Sequence, residues 1–180
     1  IMKDAKVGGA WTWHQDYGYW YDVGYLFPQL ASVMIAVDKA TKENGCLQVI
    51  KGSHRLGRIN HTLTGEQAGA DLDRVNEALK KLELVYCEMN PGDAVFFHCN
   101  TLHCSDQNQS DNPRWAMVCC YGLVGNDSAR DPLHSVPFEA VMQVDDSAVR
   151  ESGAVRFGVA EDNNIFLDPI THLGEGVASA

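Results

Sequence analysis

Apolar residues fall in short continuous runs along most of this chain, and one stretch alone carries a helical period. "LASVMIAVD", residues 30–38, is a continuous apolar run rich in β-branched residues, the pattern of a strand buried on both faces. "KENG" supplies a turn, and "CLQVIKG" the next strand. "LVYCEM" and "AVFFHCN" flank "NPGD", a turn with proline before glycine. "TLHCS" and "RWAMVCCYGL" add two further strands, separated by the polar segment "DQNQSDNP". "GSHRLGRINH" reads as a polar loop. Residues 11–16 read as a strand, because indole and phenol side chains favour the pleated surface. A turn-rich aromatic loop with Gly18, Gly24 and Pro28 follows.

The exception is "EQAGADLDRVNEALKKL", where Leu72, Val75, Leu79 and Leu82 recur at spacings of three and four. That spacing predicts an amphipathic helix, best formed from Asp71 to Lys81 with Asp71 as its cap. A second short helix is expected near residues 145–151. Strands interrupted by one main helix predict a mainly antiparallel sandwich or barrel.

Composition narrows the function classes. The chain has 180 residues, 45% of them hydrophobic, enough for one domain with a real core. Its net charge of −10 argues against a nucleic-acid or anionic membrane surface, which needs a basic face. No apolar run approaches the roughly 18–20 residues that span a bilayer, and no signal-peptide pattern opens the chain. The cysteines, Cys46, Cys87, Cys99, Cys104, Cys119 and Cys120, lack Cys-x-x-Cys spacing and sit mostly in apolar runs. They read as reduced core residues in a cytosol-like compartment, not as a zinc ribbon. The chain opens at Ile1 with its first candidate chemistry close behind, so an N-terminal portion of the natural protein is expected to precede it.

That first chemistry lies in "GAWTWHQDYGYWYD", where His14 and Asp16 stand two apart. On a strand they would project to one face, as half of a metal site. A third ligand has two candidates, His98 in "VFFHCN" and His103 in "TLHCS". Iron(II) held by two histidines and a carboxylate leaves open positions on one face, able to take a chelating 2-oxo acid and O₂. A 2-oxo diacid also needs an anchor for its distal carboxylate. Arg114, at the head of the strand after His103, offers the planar fork that suits one.

"WHQD", "ENGCLQVIKGSHRLG", "NPGDAVFFH" and "TLHCSDQNQSDNPR" together resemble the phytanoyl-CoA dioxygenase family, over residues 11 to about 124. The resemblance implies a double-stranded β-helix, or jelly roll, cupin-like, forming a single oxygenase domain over residues 1–180 whose tail from 125 matches no motif. It implies Fe(II), 2-oxoglutarate and O₂ as cofactor and cosubstrates, and a small-molecule substrate hydroxylated at an unactivated C–H bond, with succinate and CO₂ as coproducts. The family's metal ligands fall on His14, Asp16 and His103, and so select His103 over His98. Its 2-oxoglutarate contacts fall on Arg114 and Ser105, with Met34 lining the cosubstrate pocket by analogy. The carboxylate at Asp16 implies hydroxylation, since related halogenases carry a small residue there.

Gln48, the lone polar residue in "CLQVI", and Trp20 are the candidate substrate contacts. A buried amide must find partners, and a bound ligand could supply them. His54 reads as loop architecture or pocket rim, and Trp13, Tyr17 and Tyr19 as core and pocket wall. The same barrel with the same ligands also suits a metal-dependent isomerase or hydrolase that uses metal-bound water and has no need of Arg114. A catalytically silent metal- or ligand-binding jelly roll, and a metal-free interaction module, are the remaining alternatives.

Overall fold

The computed structural model describes residues 1–64, 67–129, 140–148 and 150–152. Its contacts divide the chain into two units, Ile1–Glu139 and Ala140–Ala180. In the second, residues 146–148 and 150–152 are helical, where the sequence predicts a short helix; "NNIFLDP" lies outside the described residues.

Most strands of the first unit form where the apolar runs fall. They are β1 (Met2–Lys3), β2 (Trp11–His14), β3 (Leu30–Ala36), β4 (Leu47–Ile50), β5 (His61–Thr64), β6 (Gln67–Ala70), β7 (Leu84–Cys87), β8 (Ala94–His98), β9 (His103–Ser105) and β10 (Arg114–Gly122). Two helices, α1 (Asp16–Asp22) and α2 (Leu72–Leu79), and a 3₁₀ turn at Ser53–Leu56 complete the order. The strands build two four-stranded sheets, β1-β10-β3-β8 and β2-β9-β4-β7, with every pairing antiparallel. Met34, Ala36, Phe97 and Ala116 of the first sheet pack against Leu47 of the second. This is the jelly-roll layering expected from the sequence.

The helix α2 forms as its period predicts. Asp71 Oδ1 accepts from the backbone N–H groups of Asp73 and Arg74, satisfying donors that the first turn leaves free. Val75 and Ala78 bury against Ile50, Ile59 and Leu102.

Two stretches depart from expectation. The hairpin β5–β6 occupies segments read as polar loop and helix approach. It carries no alternating apolar face, and is held instead through Gln67, whose amide donates to Ala10 O and accepts from Thr12 N–H beside β2. The second departure matters more. Residues 16–22 are not a loop, and the strand before them ends at His14. The aromatic residues there pack helically, with Tyr17 and Tyr21 edge to face at 5.9 Å and Tyr17 buried with Tyr25, Leu30 and Cys99. Burial of that cluster outweighs the strand preference of its side chains. Gly18 lets α1 approach His61: a Cβ there would stand 2.1 Å from the imidazole.

Gly18→Ala is therefore expected to lower stability by about 1–3 kcal/mol through overpacking. The check is urea denaturation, where the midpoint falls at unchanged m value.

Candidate metal centre

The β2–β9 pairing is the frame of the site. Trp11 stands opposite Ser105 and His14 opposite His103, with a bulge between them, so the two histidines are direct cross-strand partners. Their rings lie 4.0 Å apart, centroid to centroid. Each ring is oriented by its own strand: His14 Nδ1 lies 2.7 Å from Thr12 O, and His103 Nδ1 lies 2.9 Å from Thr101 O. A carbonyl only accepts, so each Nδ1 carries a proton and Nε2 is the ring atom left to face a metal. Burial, then the neighbouring His103 ring, lowers the His14 pKa to about 4, which keeps its imidazole neutral.

Asp16 reaches the same point from a different element. Gln15, between the strand and the helix, is extended (φ −117°, ψ 136°), and Asp16 begins α1. The two side chains therefore converge through a strand-to-helix turn, not through the shared strand face that the sequence predicts. Asp16 Oδ1 lies 3.9 Å from His14 Nε2 and 3.5 Å from His103 Nε2. One ligand atom from each of the three residues falls within 4.8 Å of the others, a spacing that a single ion can bridge. His98 lies outside this cluster; its Nδ1 accepts from Asn100 N–H, and its ring stands 5.9 Å from that of exposed His54.

The turn is locked by Gln15, which is fully buried. Its amide donates to Gly57 O and Asn100 O and accepts from Ile59 N–H, at 2.7–2.8 Å. Its backbone N–H donates to His61 Nε2 at 3.0 Å. Two loops, at 57–59 and at Asn100, and the first residue of β5 thus fix the residue between the two ligands.

A cavity of about 120 Å³ between the sheets is lined by His14, Asp16 and His103 and also by Arg114, Ser105 and Met34. Arg114 is 2% exposed. Its Nη2 donates to Gly45 O at 2.7 Å, while its buried Nε and Nη1 have no acceptor. Ser105 Oγ accepts from Lys3 Nζ at 2.9 Å, and that ammonium also donates to Asp106 O. Burial, then the charge of Arg114, lowers the Lys3 pKa to about 8. Among the described residues no carboxylate is ion-paired with either cation. Gly45 makes room for this corner: its φ is +74°, and a Cβ there would stand 2.2 Å from Asp106 O and 3.3 Å from Lys3 Nζ.

The remaining candidates fall elsewhere. Gln48 is buried, but its amide donates to Asp106 Oδ2 at 2.7 Å, so a protein carboxylate supplies the partner that the sequence reading assigns to a ligand. Trp20 packs against the Tyr17, Tyr25 and Leu30 cluster, away from the cavity lining. Of the cysteines, all free, Cys46, Cys99 and Cys104 are buried as expected, whereas Cys120 is exposed and lines the cavity. Lys3, bonded to the cavity-lining Ser105, and Ser32, bonded to the cavity-lining Asp16, are not singled out by the sequence pattern. Ser32 carried a signal, a hydroxyl inside an apolar run; Lys3 carried none.

Two antiparallel sheets enclosing a pair of imidazoles and one carboxylate define a double-stranded β-helix of the cupin-like class. Residues 1–116 match the family described as Phytanoyl-CoA dioxygenase (PhyH), and the chain belongs to that family. It is 33% identical over 167 residues to L-proline trans-4-hydroxylase of Streptomyces griseoviridis, covering 77% of this chain and 62% of that protein. It is 31% identical over 117 residues to phytanoyl-CoA dioxygenase of Arabidopsis thaliana, covering 64% of this chain and 40% of that protein. The chain thus spans between two fifths and two thirds of the length of these relatives. Among solved structures it resembles EctD from S. alaskensis with 2-oxoglutarate and 5-hydroxyectoine, with TM-score 0.62 and 26% identity over 71% of this chain and 43% of that one. The same protein with bound Fe superposes with TM-score 0.62 and 25% identity, over 74% of this chain and 47% of that one.

Asp16→Ala is expected to abolish tight Fe(II) uptake while the metal-free chain still melts cooperatively. Anaerobic titration with Fe(II) checks this; binding as tight as wild type would remove Asp16 from the centre.

Proposed function

We propose that this chain is the core of an Fe(II)- and 2-oxoglutarate-dependent dioxygenase that hydroxylates an unactivated C–H bond of a small molecule. The observation that carries the reading is the pair of unpartnered guanidinium nitrogens of Arg114, buried in the cavity that the three ligand residues also line. A buried cation without an acceptor is costly, and an anionic ligand removes the cost. A metal-dependent isomerase or hydrolase acting through bound water gives Arg114 no such partner.

The donor set fits the groups. His14, Asp16 and His103 would hold Fe(II), two neutral nitrogens and one hard oxygen that together leave positions open. Arg114 and Ser105 would hold the distal carboxylate of 2-oxoglutarate, Ser105 as donor while it accepts from Lys3. Lys3 adds a second positive charge there. Met34, buried on β3, would form an apolar wall of the same pocket. Bound together, Fe(II), 2-oxoglutarate and O₂ supply the oxidising chemistry, with succinate and CO₂ as coproducts. The protein's part is orientation: Arg114, Ser105 and Lys3 fix one end of the cosubstrate, and the imidazoles with Asp16 fix the reacting end. The sheet walls exclude bulk water from between them.

Three named relatives and neighbours act on small molecules: an L-proline hydroxylase, a methylphosphonate hydroxylase, and EctD, solved with 5-hydroxyectoine. They support a small-molecule substrate. No described helix is long and apolar enough to cross a membrane. The cysteine spacing remains the ground for proposing a cytosol-like compartment.

The reading is tested by adding 2-oxoglutarate to the Fe(II)-loaded chain without oxygen and looking for a visible charge-transfer band. A succinate-formation screen over candidate substrates then follows in air. No band and no succinate would overturn it. Arg114→Ala is expected to weaken 2-oxoglutarate at least about tenfold, the worth of a charge-assisted hydrogen bond, with Fe(II) affinity little changed. Titration of the band separates the two affinities. Lys3 gives a pH signature. Its ammonium, present below about pH 8 in the free protein, favours the bound carboxylate and is lost as pH rises. Affinity for 2-oxoglutarate should therefore fall above about pH 8 in wild type, and the fall should be absent in Lys3→Met.

A further inference from the structure

The carboxylate of Asp16 is steered from outside its own element. Ser32 lies on β3, in the opposite sheet, and its Oγ donates to Asp16 Oδ2 at 2.5 Å. Ser32 is 0% exposed. Its cross-strand partners are Cys120 on β10 and Phe97 on β8, and both line the cavity. Leu30, Ser32, Val33, Met34 and Ala36 are the buried positions of β3, and Ser32 alone among them carries a polar side chain. The remaining neighbour of its hydroxyl is the Cys120 sulfur at 3.8 Å, a weak partner. The serine hydroxyl is thus committed to Asp16.

The bond divides the work of the two carboxylate oxygens. Oδ1 faces both imidazole Nε2 atoms. Oδ2 is drawn the other way, toward the β3 sheet. We propose that Ser32 is a positioning residue that presents Asp16 to the metal through one oxygen and holds the second out of the coordination sphere. The inference rests on the metal-centre reading above. Its consequence is specific. Without the hydroxyl, Asp16 gains rotational freedom, and Oδ2 is free to swing onto the ion and occupy a position that 2-oxoglutarate or O₂ needs. Partners that orient a ligand in this way typically govern metal affinity by about 10–100-fold.

The test uses Co(II) as probe, because its visible absorption reports coordination number and affinity together. Wild type, Ser32→Ala and Ser32→Cys are titrated with Co(II) after thermal melting shows that each metal-free chain unfolds cooperatively. Ser32→Ala is expected to bind about tenfold or more weakly than wild type, with altered band positions and intensity. Ser32→Cys keeps the volume and a weak donor, and is expected to fall between them; it carries the test if the alanine variant does not fold. A merely structural serine would change melting without changing the spectrum of the bound ion, and that result overturns the proposal. Equal affinity and an unchanged spectrum in a folded variant overturn it too. Wild type taking up no Co(II) would overturn the metal-centre reading itself, and this role with it.

Discussion

The site depends on one cross-strand pair. His14 and His103 face each other across the β2–β9 ladder, and each donates its Nδ1 proton to the carbonyl two residues earlier in its own chain. The same local device is used twice, so both rings present the same atom to the same space. A slip of one residue in either strand would turn its imidazole to the opposite face, because side chains alternate with period two. The bulge between Trp11 and His14 sets that register, and the Gln67 amide beside β2 helps to hold it. Ligand convergence is thus a property of sheet pairing before it is a property of the ligands.

The second constraint is electrostatic. The chain carries a net charge of −10, yet one corner of its cavity buries Arg114 and Lys3 without a paired carboxylate among the described residues. Burial first, and the like charge of Arg114 second, hold the Lys3 ammonium down at about 8. The nearest acid, Asp106, has one carboxylate oxygen engaged by the Gln48 amide. Stability is spent here in a form that an anion recovers. The global charge of the chain gives no hint of this local reversal, because it depends on which residues the fold brings together, not on their sum.

Different parts of the site were legible to different degrees. Asp71 and the leucine period announced α2, since capping and amphipathic spacing are local. The apolar runs announced β3, β4, β8 and β10 for the same reason. Residue type and spacing point to Asp16 but not to its placement: the sequence predicts a strand through residue 16 and an aromatic loop after it, where the structure begins a helix. The burial of Tyr17 with Tyr25, Leu30 and Cys99 favours the helix, and Cys99, which also accepts from Tyr17 N–H, comes from a loop far along the chain. Gln48 shows the limit from the other side. Its burial was readable, but the partner that satisfies it was not, because Asp106 is brought beside it by the β4–β9 pairing.

By itself, the amino-acid order determined which segments extend, where the one strong helix starts, and which side chains are chemically able to bind a metal or a carboxylate. Those follow from periodicity, turn chemistry and side-chain identity, all read within a few neighbouring residues. Tertiary structure alone decided that Asp16 enters from a helix, that Ser32 grips its second oxygen, and that Lys3 joins Arg114 and Ser105. Each of these depends on contacts between residues far apart in the chain, whose geometry is set by strand register and core packing across two sheets.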